Sequence, residues 1–256
     1  MMVSLVILVF VFAGVAAFYG ANRSARVAED LSETMEAQLR VGMDSIMFDL
    51  RSAGYGTPTT NLSSWIPWVA GMTSDPLLTV GAGSNPDTIS IALCTSQPVG
   101  TLAAAYTAGA ATFTLDAAGA AAVDTANKKL IYINNTELAQ VYAKTGTTIT
   151  PDTSPNIAGP QPLSKSYNIG TPICRVDVVT FSVDTTAHTL LRNDNQGAGA
   201  QIIIDGITNM KIVTDATGIK PKYAVTLTAT SSQYDPLGNS TVLFTRSLAS
   251  TASKRN

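Results

Sequence analysis

MMVSLVILVFVFAGVAAFY, residues 1–19, carries no charged side chain, and Ser4 is its only clearly polar residue. As an α-helix this segment would be roughly 28 Å long, close to the ~30 Å hydrocarbon core of a bilayer. A cleaved signal peptide is the alternative, but no Lys or Arg precedes Arg23 and the sequence continues directly into a helical pattern. The segment therefore predicts a retained transmembrane helix.

Residues 23–53 continue that helix as an amphipathic one, with apolar residues every four positions and charged residues on the opposite side. No proline precedes Pro58, and Gly54 and Gly56 predict the helix C-terminus. One helix of roughly 80 Å cannot pack along its whole length on one globular head, so residues 1–22 must be buried in lipid or in other subunits. We expect packing through Met1, Leu5, Leu8 and Phe12 in the first half and Val27, Leu31, Met35 and Leu39 in the second.

Residues 54–256 predict a β-rich globular head. Short runs alternate apolar and polar residues with a period of two, and Gly, Pro, Asn and Asp clusters separate them. No long amphipathic helix alternates with these runs, which disfavours a parallel sheet. The predicted fold is α+β, a long N-terminal helix packed on an antiparallel sheet. The predicted strands are 87–93, 112–115, 129–133, 139–143, 148–150, 176–183, 189–192, 201–204, 210–214, 223–230 and 241–247.

Two further features divide the head. Residues 151–172 are rich in proline and glycine and predict an extended surface loop, which would separate an inserted hairpin region, about residues 101–150, from the final strands. A short helical turn is expected near Asp205–Asn209 or Asp116–Ala126.

The charge of the head argues against a dedicated nucleic-acid binder. After Ala53 the chain has 12 Lys and Arg and 12 Asp and Glu, so it lacks the basic surface that such proteins use. Cys94 and Cys174 can form one disulfide if the head lies outside the cytoplasm, and two buried thiols are the alternative. Neither cysteine has a nearby His, so we expect no metal site there.

No catalytic or cofactor-binding pattern is found in the sequence. His188 is the single histidine, and no GxSxG, P-loop, GxGxxG or HExxH motif accompanies it. Residues 193–197 (NDNQG) carry oxygen ligands, but a calcium loop needs more carboxylates and a distal glutamate, so a hairpin turn is favoured. We therefore expect a protein that is not an enzyme and holds no cofactor or metal.

Several segments resemble the type IV pilin superfamily. Residues 2–5 (MVSL) are similar to the start of the family's N-terminal helix, where a basic leader and a glutamate come first; we expect both upstream of Met1 in the native protein. Residues 48–56 (FDLRSAGYG) are similar to the RDLRxAGYG motif that closes the helix in PilW-like minor pilins. Residues 190–192 (LLR), 204–210 (IDGITNM) and the final RN resemble the family's C-terminal block.

This resemblance implies an inner-membrane subunit that enters an extracellular type IV pilus. Apolar half-helices bundle in the core of such a fimbrium and β-rich heads cover its surface. The implied partners are the membrane, other pilin subunits in a homo- or hetero-filament, and the inner-membrane assembly platform. A type II secretion pseudopilin and a major pilus subunit are alternatives within the superfamily. A tip adhesin acting in cell adhesion, or a DNA-uptake module, is the alternative from another class, and the neutral head disfavours the second.

Overall fold

The computed structural model describes residues 2–53, 78–80, 86–94, 98–126, 128–154, 156–215, 222–234 and 243–253. One helix, α1, runs without interruption from Met2 to Ser52, and its 51 residues correspond to roughly 76 Å. Met1 and the predicted stop signal at Gly54, Gly56 and Pro58 lie outside the described residues. The long N-terminal helix and the antiparallel strands that follow it confirm the predicted α+β class.

Thirteen strands and one short helix make up the described part of the head. The short helix α2, Ala117–Ala122, confirms one of the two predicted helical turns. The other prediction, at Asp205–Asn209, is wrong, because the chain passes there from one strand directly into the next. The strands are β1 Leu78–Val80, β2 Ile89–Cys94, β3 Gly100–Thr101, β4 Phe113–Thr114, β5 Leu130–Ile133, β6 Glu137–Thr145, β7 Thr148–Asp152, β8 Pro172–Asp184, β9 Thr189–Asn193, β10 Ala200–Asp205, β11 Ile207–Asp215, β12 Lys222–Tyr234 and β13 Leu243–Ser253.

The strands form two antiparallel sheets. The larger has ten strands, with the order β1-β2-β8-β5-β6-β7-β4 and with β9, β10 and β3 attached beside that path. The smaller has the order β11-β12-β13. Strand β8 connects the two parts of the larger sheet, because its first residues pair with β3 and β5 and its later residues pair with β2 and β9.

The main core lies between the second half of α1 and both sheets. The helix contributes buried side chains at a spacing of three and four residues, as an amphipathic helix requires. The sheets contribute apolar residues of their inner faces, most of them β-branched or aromatic. Members of this core include Met35, Leu39, Met43, Ile46 and Leu50 from α1 and Ile89, Phe181, Leu190, Val225 and Leu227 from the sheets.

A second core lies among β4–β7, α2, the start of β8 and the segments that follow β3 and β7. The predicted surface loop at 151–172 is therefore shorter than expected and partly buried. Pro151 belongs to β7 and Pro172 begins β8, while Leu163 is fully buried in this core. The physical reason is backbone pairing, since Tyr167 exchanges two backbone hydrogen bonds with Tyr106 at 2.8 and 2.9 Å.

Candidate membrane and assembly helix

The first half of α1 is not buried against the described part of the head. Its most apolar stretch is long and apolar enough to cross a membrane, and none of that stretch is buried within the protein. Phe10 is 74% exposed and Phe18 71%, and Leu8 and Phe12 are likewise exposed to solvent. Large contiguous apolar surfaces of this kind mark membrane or protein contacts.

The residues of α1 that were predicted to pack fall into an exposed group and a buried group. Leu8 and Phe12 are exposed, and the side chain of Leu5 is not described. Ala28 is the first buried residue of α1 in the described chain. Val27 and Leu31 are half-buried, whereas Met35 and Leu39 lie in the main core. The helix thus changes its surroundings at about residue 28, near the boundary expected at 22–23.

Gly42 lies where the backbone of α1 closely approaches side chains of both sheets, and sequence reasoning did not single it out. An added Cβ would lie 2.6 Å from Ile204 Cδ1, 3.0 Å from Leu190 Cδ2 and 3.3 Å from Leu227 Cδ1. Glycine lets the helix backbone approach the side chains of both sheets. The sequence signal that could have revealed this close approach is a glycine inside a helical pattern, on the apolar side of the helix.

The last turn of α1 carries a buried charge that sequence reasoning also missed. Asp49 is only 6% exposed, and its Oδ2 accepts a hydrogen bond from Arg192 Nε at 3.1 Å. Burial raises the pKa of Asp49 above its ordinary value, and the Arg192 cation opposes that rise. The ion pair joins two of the segments that resemble PilW-like pilins, residues 48–56 and 190–192. The sequence signal that could have revealed this buried charge is a carboxylate placed among the apolar positions of the helix.

Residues 204–210 are a third segment that resembles PilW-like pilins. They lead the chain from the larger sheet to the smaller sheet beside α1. Gly206 has a φ of +79°, a region that favours glycine, and separates β10 from β11. Its carbonyl accepts a hydrogen bond from Thr230 N at 3.0 Å, and an added Cβ would lie 3.3 Å from Gln38 Oε1 of α1. The glycine therefore permits both the change of sheet and the contact with the helix.

The side of α1 that faces away from the sheets carries the exposed charges. We call it the outer stripe. Two apolar residues, Val41 (55% exposed) and Phe48 (72%), lie on the same side of the helix. Glu36 and Arg40 form a long ion pair at 3.9 Å. The exposed charged residues of the outer stripe are Arg23, Arg26, Glu29, Asp30, Glu33, Glu36, Arg40, Asp44 and Arg51.

Cys94 and Cys174 are joined in a disulfide with their Cα atoms 5.8 Å apart, a separation usual for such bonds. Cys94 ends β2 and Cys174 lies near the start of β8, where β8 also pairs with β5 at Tyr132. The bond therefore lies where the part of the sheet that contacts α1 meets the part that surrounds the second core. Both cysteines lie in a small apolar cluster with Leu130, Leu138 and Val178.

The residues considered for chemistry occupy turns. His188 has a φ of +55° and closes the β8–β9 hairpin, where Asp184 Oδ1 accepts hydrogen bonds from Thr186 N and Ala187 N. Within residues 193–197, Asn193 and Asp194 accept hydrogen bonds from the backbone N–H groups two residues further on. No cluster of three metal-ligating side chains occurs within the described ranges.

One buried polar network lies in the second core. Glu137 accepts hydrogen bonds from Tyr167 Oη at 2.9 Å and Ser164 N at 2.6 Å. Burial, with the Glu137 carboxylate nearby, raises the pKa of Tyr167 to about 12. Tyr106 Oη accepts from Leu163 N and donates to Ala110 O. These hydrogen bonds hold residues 163–167 against the second core. The role of this polar network is therefore structural.

Comparison with models of known protein families, with curated proteins and with solved structures found no match to this chain in any of the three.

Proposed function

We propose that this chain is a structural subunit of a type IV pilus-like filament, of the PilW-like minor pilin kind. The observation that carries the proposal is a single helix with two different surroundings. Its first half exposes apolar side chains on all sides, and its second half buries one side against the head. Lipid covers the first half before assembly, and the helices of neighbouring subunits cover it in the filament.

The apolar surface of the first half of α1 is unfavourable in water. Fully burying one large apolar side chain is worth roughly 1.5–3 kcal/mol. The exposed set therefore amounts to on the order of 10 kcal/mol, comparable with the whole stability of a typical domain at about 5–15 kcal/mol. A helix that kept this surface in water would be strongly disfavoured. The set comprises Ile7, Leu8, Val9, Phe10, Val11, Phe12, Val15 and Phe18.

The transfer from membrane to filament is compatible with this surface. Lipid tails are as apolar as these side chains, so association in the membrane depends on close packing rather than on the hydrophobic effect. An added Cβ at Gly14 or Gly20 would meet nothing within 4 Å, so both positions leave room for a neighbouring helix. A subunit held in this way can leave lipid at low cost once other helices replace it.

The test is to recover the chain from filaments. Surface filaments are sheared from the bacterium that encodes the protein, sedimented and analysed by mass spectrometry and immunogold labelling. We expect peptides of the head in the filament fraction and label on the filaments.

A variant with Val11→Arg should be lost from that fraction, because a charge near the middle of a membrane helix costs roughly 2.5–3.5 kcal/mol. Ala104→Arg is the matched control, since Ala104 is exposed on the head, and it should assemble normally. Consistent absence of the wild-type chain from filaments, with normal amounts in the membrane, would overturn the proposal.

A further inference from the structure

The charged residues of the outer stripe that lie nearest the apolar end of α1 are two cations. Residues 1–19 carry no charge, and Arg23 and Arg26 are the first charged residues of the chain. Four acids follow them, at residues 29, 30, 33 and 36. The sign of the charge therefore changes from positive to negative as α1 leaves the stretch that is apolar enough to cross a membrane.

The distances along the helix place the first cation level with the lipid headgroups. At a rise of about 1.5 Å per residue, Arg23 lies roughly 6 Å beyond Tyr19, and Arg26 lies roughly 10.5 Å beyond it. A bilayer about 40–45 Å thick has a hydrocarbon core of about 30 Å, so each headgroup layer is roughly 5–8 Å deep. With Tyr19 at the edge of the core, Arg23 is within the headgroup layer and Arg26 is just outside it.

The direction of the side chains brings Arg26 to the same layer. In an α-helix every Cα–Cβ bond is tilted towards the N-terminus, which for α1 is the membrane end. A long arginine side chain can extend along this direction and keep its guanidinium group at the headgroups. Glu29 begins roughly 15 Å beyond Tyr19 and has a shorter side chain, so the first of the acids lies outside the headgroup layer.

Arg23 and Arg26 are exposed and share one side of the helix. They lie about 60° apart around the helix axis, and Ala28, the first buried residue of the described part of α1, is on the opposite side. Neither arginine forms an ion pair with another residue of the described ranges, although Asp30 is four positions after Arg26. By contrast, Arg192 is held in an ion pair at 3.1 Å. The guanidinium groups of Arg23 and Arg26 are therefore accessible to an external anion.

We propose that Arg23 and Arg26 bind the phosphate groups of anionic phospholipids at the membrane surface from which α1 emerges. A guanidinium group matches a phosphate in charge and in geometry, because it can donate two parallel N–H hydrogen bonds to two oxygens. Phosphatidylglycerol carries a net negative charge, whereas phosphatidylcholine carries a cation of its own beside the phosphate. The two arginines should therefore select anionic lipid over zwitterionic lipid.

The inference rests on the proposed function, because it requires the first half of α1 to lie in lipid before assembly. It also adds a control to that function. The contacts with anionic lipid are made only in the membrane, so a subunit loses them when it enters a filament. The content of anionic lipid therefore affects how strongly the membrane retains the subunit.

The expected preference is moderate. Each basic residue near an anionic surface strengthens binding about five-fold, so two arginines together would give about 25-fold. The acids reduce this figure, because the nearest of them lie within about 8–10 Å, one Debye length, of the headgroups. We therefore expect anionic lipid to be preferred at least about three-fold, and added salt to weaken the preference.

Native mass spectrometry of the full chain measures this preference. The chain is purified in detergent micelles that contain equal amounts of phosphatidylglycerol and phosphatidylcholine, and the lipids that stay bound are counted. Wild type should carry phosphatidylglycerol in at least about three-fold excess. The variant with Arg23→Gln and Arg26→Gln should carry both lipids equally. Arg40→Gln with Arg51→Gln is the matched control, because it removes the same charge from exposed positions further from the membrane and should keep the excess.

Both pairs of changes are at exposed positions, so circular dichroism should show the helix content of wild type in each variant. Equal binding of the two lipids to wild type, or an unchanged excess after Arg23→Gln and Arg26→Gln, would overturn the inference. Inorganic phosphate should lower the excess no more than sodium chloride of the same ionic strength. A larger loss with phosphate would assign the arginines to free phosphate and would also overturn it.

The lipid preference and the proposed function fail in different ways. The inference would fail alone if wild type bound both lipids equally and was still found in filaments. The proposed function would fail alone if wild type showed the phosphatidylglycerol excess while filaments lacked the chain.

Discussion

Arg192, on β9, donates a hydrogen bond from Nε to Oδ2 of Asp49 at 3.1 Å, and thereby fixes the last turn of α1 to the larger sheet. Asp49 is buried, whereas the Arg192 side chain is at the edge of the contact and half-exposed. The pair connects the helix to the larger sheet. It therefore contributes to the attachment of the helix to the head.

Removing Arg192 alone should lower the free energy of unfolding more than removing both Arg192 and Asp49. Arg192→Met leaves the Asp49 carboxylate buried without its ion pair, and we expect a loss of about 2 kcal/mol in the free energy of unfolding. The variant with Asp49→Leu and Arg192→Met should regain much of that loss. Urea unfolding of the detergent-solubilised full chain, followed by circular dichroism, measures both. Arg51→Met is the control, because Arg51 is exposed and should change stability by less than about 0.5 kcal/mol. Equal stability of the single and double variants would contradict this role.

The same pair predicts a pH dependence. Burial raises the pKa of Asp49 in the folded state above the ordinary value of 3.8, so the folded protein holds this proton more tightly than the unfolded chain. This tighter proton binding stabilises the folded protein fully at a pH below the pKa that Asp49 has in the unfolded chain. The stabilisation is lost as the pH rises through the pKa that Asp49 has in the folded protein. Asp49→Asn does not titrate, so wild type should lose stability relative to this variant as the pH rises above about 4. Unfolding free energies of both proteins between pH 3 and 7 measure the difference, and a constant or opposite trend would refute the assignment.

Gly42 should tolerate little enlargement. Gly42→Val places branched carbons against Ile204 and Leu190, and overpacking of this kind costs about 1–3 kcal/mol. Gly42→Ala should cost less, because the nearest atoms are the ends of flexible side chains. A second change, Ile204→Ala, should relieve part of the cost of Gly42→Val. Thermal unfolding of wild type, Gly42→Val, Ile204→Ala and the double variant tests this, and additive losses in the double variant would contradict direct contact.

The disulfide should stabilise the junction between the two parts of the larger sheet. Cys94 and Cys174 are 80 residues apart, and closing a loop of that length can contribute roughly 4 kcal/mol. Replacing both by Ala should lower the unfolding midpoint substantially. Reductant should lower the midpoint of wild type towards that of the variant and leave the variant unchanged. Identical midpoints for wild type, reduced wild type and the variant would refute a stabilising bond.

The sequence was sufficient for the features that depend on local periodicity. The length of α1 and the buried positions Met35 and Leu39 follow from apolar spacing, and most strands from period-two alternation. Strands β1 and β3 were missed, because neither lies in an alternating run of apolar and polar residues. The two-residue strand β4 was predicted because it lies in such a run, residues 112–115.

Features that depend on distant partners were less accessible. The ion pair of Asp49 with Arg192 and the close approach at Gly42 are defined by strands more than 140 residues away in the chain. The burial of Leu163 depends on pairing with the segment around Tyr106, which turned an expected surface loop into part of a core. Local composition carries no record of such partners.

We propose that the first half of α1 lies in lipid while the second half lies against the head. Spin labels at Phe10, Phe18 and, as a water-exposed control on the head, Ala104 in the full chain reconstituted into vesicles test this most directly. Relaxation by dissolved oxygen reports lipid, and relaxation by a water-soluble nickel complex reports solvent. We expect strong oxygen and weak nickel relaxation at Phe10 and Phe18 and the reverse at Ala104. Strong nickel relaxation at Phe10 and Phe18, equal to that at Ala104, would contradict the proposal.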